Sequence, residues 1–95
     1  MDTGYIWAED KYELTKAKHD VTFSEVVAAM EDPHAVEMQE EVFAASVFEI
    51  RTRLVGCTSE GRMLLVVHTD EDAPLFRIVT AFDAPQEWIH EYQTY

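Results

Sequence analysis

At 95 residues the chain has room for one domain, 1–95, with a modest core. Its 47% apolar and 12% aromatic content excludes a disordered chain, and no apolar run approaches the roughly 20 residues of a membrane helix. The net charge of −12 argues against binding to bulk nucleic acid, because phosphate binding is driven mainly by Lys and Arg.

Residues 8 to 18 read as a helix with Tyr12 and Leu14 on its apolar side. Lys11 and Lys18 lie seven apart and share a face. Asp20 turns the chain, Thr22 is a good N-cap, and Glu25 completes a capping box. The second helix is expected to run to about Met30, with Phe23, Val26, Val27 and Met30 as one buried stripe. Asp32-Pro33 ends it, since a residue before proline disfavours the helical region. Val36 and Met38 alternate with polar neighbours as in an edge strand. The acidic stretch Glu37, Gln39, Glu40, Glu41 is expected to be a loop.

From Val47 to Val55 the alternation is clear. Phe48, Ile50, Thr52 and Leu54 point one way; Glu49, Arg51 and Arg53 point the other. Thr58 to Gly61 is a turn, and Met63 to His68 is apolar on both faces, as in a central strand. Asp70 to Pro74 is a second turn, and Leu75 to Phe82 a third strong strand, expected beside the Glu49–Arg51 strand. Pro85 opens a last helix with Trp88, Ile89 and Tyr92 as its apolar face. The class is α+β: two N-terminal helices, a three- to four-stranded antiparallel sheet and a C-terminal helix.

The positions of the cations soften the objection from net charge. Lys11, Lys16 and Lys18 fall in the first helix, and Arg51, Arg53, Arg62 and Arg77 in the strand region; residues 19 to 50 and 78 to 95 hold none. One reading is a solvated acidic protein, the other a small cationic patch on an acidic body. The histidines have no metal-ligand spacing, the glycines make no phosphate loop, and no metal or cofactor is expected. The single Cys57 cannot form an internal disulfide, and the N-terminus lacks the pattern of a secretory signal. A cytoplasmic location is therefore expected.

What remains is a constellation for metal-independent RNA cleavage. Attack by the RNA's own 2′-hydroxyl needs a base, cations for the phosphorane, and an acid for the leaving oxygen. Lys18, His19, Glu49, Arg51 and Arg77 supply these types, with Lys11 and Arg53 as further RNA-binding cations. The plain alternatives are a surface ion pair for Glu49 and Arg51 and a helix-end cap for His19. Arg77 stands amid apolar neighbours and wants a partner, for which Glu49 is one candidate.

At these residues the chain resembles the BrnT toxins, which belong to the RelE-like ribonuclease fold. Trp7 and Lys11 match that family's opening helix, and Lys18-His19-Asp20-Val21-Thr22-Phe23-Ser24-Glu25 match its Lys-His-Gly-Val-x-Phe-x-Glu segment. Asp32-Pro33 match its Asp-Pro, Glu49-Ile50-Arg51 with Gly56 its Glu-x-Arg strand, and Leu64 to Thr69 its apolar strand, with His68 at the aromatic position. Arg77-Ile78-Val79-Thr80-Ala81-Phe82 stand at its Arg-Ile-Ile-Ser-Ala-Arg strand. The resemblance implies an mRNA-cutting toxin of a type II toxin–antitoxin system, acting on mRNA alone or at the ribosome and neutralised by a cognate antitoxin. It assigns the active site to Lys18, His19, Glu49, Arg51 and Arg77.

The chain departs from the pattern in three places. Phe82 replaces the second arginine, Thr15 the usual asparagine of the first helix, and Trp88 the glutamate of the last. The alternative these suggest is a catalytically degenerate relative that works as an acidic protein-binding module, with Phe82 and Trp88 lining a partner surface or simply completing the core.

Overall fold

The computed structural model describes residues 4–44, 47–69 and 75–94. In chain order these form β1 (Tyr5–Trp7), α1 (Glu9–His19), α2 (Phe23–Met30), β2 (Val36–Ala44), β3 (Val47–Cys57), β4 (Met63–Thr69), β5 (Phe76–Asp83) and α3 (Gln86–Thr94). Among them no helix is long and apolar enough to cross a membrane. The expected turn at Asp70–Pro74 lies outside the described residues.

The two N-terminal helices form where the sequence expects them. Glu9 and Asp10 in the first turn of α1, and Lys16, Lys18 and His19 in its last, complement the helix dipole. The helix stops at Asp20, which adopts the left-handed conformation (φ 54°, ψ 46°) and donates its N–H to the Lys16 carbonyl. Aspartate tolerates that region better than most residues, at a cost of order 1 kcal/mol. Thr22 and Glu25 close the capping box, with the Thr22 N–H donated to Glu25 Oε1 at 3.0 Å and the Glu25 N–H to Thr22 Oγ1 at 3.3 Å. Val26 and Ala29 are the buried residues of α2, while Phe23 and Met30 pack partly against the core. Leu14 does not join the apolar side of α1. It is 71% exposed, and only Tyr12 of the expected pair packs inward, in ring contact with Trp7 and Phe23.

The sheet has five strands in the order β1-β5-β4-β3-β2. The antiparallel expectation holds for β2 to β5 and fails at β1, which runs parallel to β5, Tyr5 to Trp7 opposite Phe76 to Ile78. Three residues are too few to show an alternation. The acidic stretch is not a loop: Glu37 to Glu41 lie inside the nine-residue β2, paired with β3 from Val36–Val55 to Ala44–Val47. An edge strand borders water along one side, so exposed glutamates are compatible with it, and such charge guards an open edge.

Side chains of β4 alternate between two cores. Leu64 and Val66 face α2 with Trp7, Val21, Val26 and Ile78; Leu65 and Val67 face the other way with Val55, and α3 lays Trp88 and Tyr92 over that second cluster. Asp32 ties α3 down: Oδ2 accepts the Tyr92 hydroxyl at 2.6 Å and the Cys57 N–H at 2.8 Å, and Oδ1 the His34 N–H at 2.9 Å.

Candidate functional site

Among the described residues, α3 covers one end of the sheet face beneath it. At the other, strand register builds two rows of side chains on the same side, because directly paired residues project together. In the first row stand Met38, Arg53, Val67 and Thr80, opposite one another on β2, β3, β4 and β5. In the second, Glu40 is opposite Arg51, and Thr69 is opposite Arg77. Thr52 pairs with His68, so Arg51 and Arg77 stand on either side of Thr69, two strand spacings or about 10 Å apart.

β5 is therefore not the neighbour of β3, as expected from sequence: β4 lies between them. Glu49 and Arg77 are not on adjacent strands. The Glu49 backbone pairs with Val42; its side chain lies outside the described residues. Arg51 is half-buried and Arg77 exposed. Arg53 Nη2 meets Glu40 Oε1 at 2.9 Å in a pair that is about 40% exposed on each side and contributes under about 1 kcal/mol.

Lys18 and His19 approach from the edge. β1 covers β5 only at 76–78, and α1 runs beside the remainder of that strand. The His19 ring is half-buried, its centroid 5.7 Å from that of Phe82. Lys18 is exposed, and with Leu14, Thr15, Ala17, His19 and Thr80 it lines an open cleft of about 490 Å³. Thr80 ends the Arg53 row, so the cleft leads onto the open face. Arg77 pairs with Thr69 and Phe82 with Leu65, four ladder steps or about 13 Å along the sheet. The candidates thus form two groups on one strip, Lys18 and His19 at one end, Arg51 and Arg77 at the other. Lys11 is exposed two turns earlier on α1 and lines no part of the cleft.

Three departures from the family pattern have plain positions. Phe82 is half-buried against the Val55–Leu65–Val67 core beside Trp88 and Tyr92. Trp88 also borders a small cleft with Met38, Glu87 and Glu91. Thr15 is buried at 7% exposure, on the helix face that meets β5. His68, at the aromatic position, is buried with its ring edge-on to Phe76 at 5.2 Å.

One residue that the sequence reading did not single out reaches the Lys18–His19 turn. Arg62, between β3 and β4, donates Nε–H to Asp83 Oδ1 (2.7 Å), Nη1–H to the Asp20 carbonyl (2.8 Å) and Glu25 Oε2 (3.1 Å), and Nη2–H to the His19 carbonyl (3.1 Å). Hydrogen bonding to Asp83 raises the Arg62 pKa above its usual value, and Arg62 in turn holds the Asp83 carboxyl below its own. Burial alone would raise the Glu25 pKa; the Thr22 N–H and Arg62 outweigh it and hold that carboxyl low as well.

No curated protein matches the chain. A family model described as ribonuclease toxin, BrnT, of type II toxin-antitoxin system matches residues 7–87, the span that carries both groups of cations, the Arg62 contacts and the Phe82 substitution. The chain belongs to the BrnT family of ribonuclease toxins of type II toxin–antitoxin systems.

Proposed function

We propose that the chain cuts RNA by attack of the RNA's own 2′-hydroxyl, and that a cognate antitoxin holds it silent in the cytoplasm. The observation that carries this reading is the gathering of Lys18, Arg51, Arg53 and Arg77 along one open strip of a protein whose net charge is −12.

In the proposed reaction a strand of mRNA, free or on the ribosome, lies along β5. The His19 imidazole takes the 2′-hydroxyl proton, O2′ attacks phosphorus, and the P–O5′ bond breaks. The departing O5′ takes a proton from solvent water, leaving a 2′,3′-cyclic phosphate and a 5′-hydroxyl end. Lys18 offsets charge on the phosphorane, while Arg51 and Arg77 grip the backbone beside it, with Arg53 and Lys11 as outer contacts. Glu49, next to Arg51 on β3, is assigned to proton transfer or to holding that arginine. The test is incubation of purified chain with RNA, with analysis of the new ends, alongside growth on expression. Cyclic phosphate ends and growth arrest are expected, both reduced by Arg77→Ala. A wild type that does neither, and that Arg77→Ala leaves unchanged, refutes the reading.

A second reading has its own observation: Phe82, at the position where the resemblance expects an arginine, packs against the Val55–Leu65–Val67 core. On it the chain has lost its chemistry and retains protein binding. Strong RNA cleavage by the isolated chain excludes it; capture of a protein partner with no effect on RNA favours it.

A further inference from the structure

We propose that Arg62 is a positioning residue for the Lys18–His19 pair: from the β3–β4 turn its guanidinium clamps the turn after α1 against the end of β5. The proposal rests on reading Lys18–His19 as the reacting end of the strip. Four of the five N–H groups of the guanidinium are used, two on backbone carbonyls of His19 and Asp20, which lie at the C-terminal end of α1 where helix carbonyls have no partner of their own.

The other two go to carboxylates on different elements, Glu25 in the first turn of α2 and Asp83 at the end of β5. These fix the plane of the guanidinium, so it holds the two carbonyls in place rather than following them. The need for a clamp is local. Asp20 sits in a left-handed conformation that glycine adopts freely and aspartate does not, so the turn carrying His19 stores strain and relaxes without restraint. Asp83 adds a second link to the pair. It follows Phe82, whose ring centroid lies 5.7 Å from that of the imidazole. Lysine cannot substitute, since an ammonium lacks the planar fork that spans four acceptors.

The same contacts would serve a clasp that only stabilised the fold, so the test compares Arg62→Ala with Tyr92→Phe, which removes the bond from α3 to Asp32 and leaves every partner of the Arg62 side chain in place. RNA cleavage is measured at saturating and limiting RNA, melting temperature alongside, and Lys18–Asp20 amide and His19 ring signals by ¹H–¹⁵N NMR. Arg62→Ala is expected to lower kcat at least about tenfold with KM within about twofold, and Arg62→Lys not to restore it. Tyr92→Phe is expected to lower the melting temperature and leave kcat within about twofold. Asp83→Asn, a milder cut in the same clamp, should give an intermediate loss and keeps the test alive if Arg62→Ala does not fold. The proposal is overturned if the folded Arg62 variants keep wild-type kcat, or if Tyr92→Phe costs as much. If the wild type cuts no RNA, the functional reading fails separately. The NMR signals then decide the clamp: shifts at 18–20 in Arg62→Ala but not in Tyr92→Phe support it, and unchanged shifts end it.

Discussion

Phe82 puts an apolar ring beside His19 at the point where the family pattern has a cation. A carbon ring there cannot offset charge on a phosphorane, but it packs against the Val55–Leu65–Val67 core beside Trp88, so on the proposed reading the substitution gives packing where a cation would give electrostatic stabilisation. Phe82→Arg reverses the exchange: stability should fall by roughly 2 kcal/mol while cleavage rises. Urea denaturation and an RNA cleavage assay read the two effects, and unchanged cleavage in a folded variant would move the reacting phosphate away from His19. At the far end of the strip, Arg51→Ala and Arg77→Ala should each lower cleavage by tenfold or more, on the order of an anchoring charge, and Lys11→Ala by much less. The residue types at the site were legible in the sequence because Lys18-His19, Arg51 and Arg77 stand in short local patterns. Arg62 was not, because its partners lie 21 to 43 positions away in the chain, and nothing in its own neighbourhood announces them.

At the scale of elements, the second helix meets the sheet through Gly56. A Cβ there would overlap the Ala29 carbonyl, which accepts the Asp32 N–H just past the end of α2. Gly56→Ala should therefore cost on the order of 3 kcal/mol, seen as a lower denaturation midpoint with little change in slope. The last helix depends on Asp32 and Tyr92. Burial would raise the Asp32 pKa, but the Tyr92 hydroxyl and two backbone N–H groups hold it below the usual carboxylate range. The same bond pushes the Tyr92 phenol up to about 12. A depressed carboxyl contributes above its unfolded pKa of about 4 and is lost below it; a raised phenol contributes below its unfolded pKa of about 10 and is lost above it. The melting difference between wild type and Tyr92→Phe should be flat from about pH 5 to 9 and shrink on both sides, and a difference that grows as pH falls below 5 would show that the tether is not this bond. The helices and three central strands could be read from caps and period. β1 could not, being three residues paired with a strand far along the chain; β2 could be read as an edge strand at Val36 and Met38, but its glutamates, whose strand partners are on β3, disguised the rest as a loop.

On the scale of the whole molecule, a body of charge −12 repels RNA at long range while a few cations attract it at contact. Only those few release counterions. Against single-stranded RNA the slope of log K on log salt should thus be shallow, near −2 to −3 for three or four phosphate contacts and flatter still where screening relieves the repulsion. Fluorescence titration between low and moderate salt measures it; a much steeper slope would require a far larger basic surface. The same negative field favours a partner of opposite charge, so a basic antitoxin should associate faster at low ionic strength than at high, as stopped-flow mixing would show.

The parallel pairing of β1 with β5 also bears on how the protein is born. Residues 5–7 leave the ribosome 71 residues ahead of 76–78, the strand that completes their place. Arg77 travels on that late strand. A nascent chain therefore brings Lys18 and His19 out of the ribosome well before Arg77, and on the proposed reading it cannot grip a message until β5 has followed them.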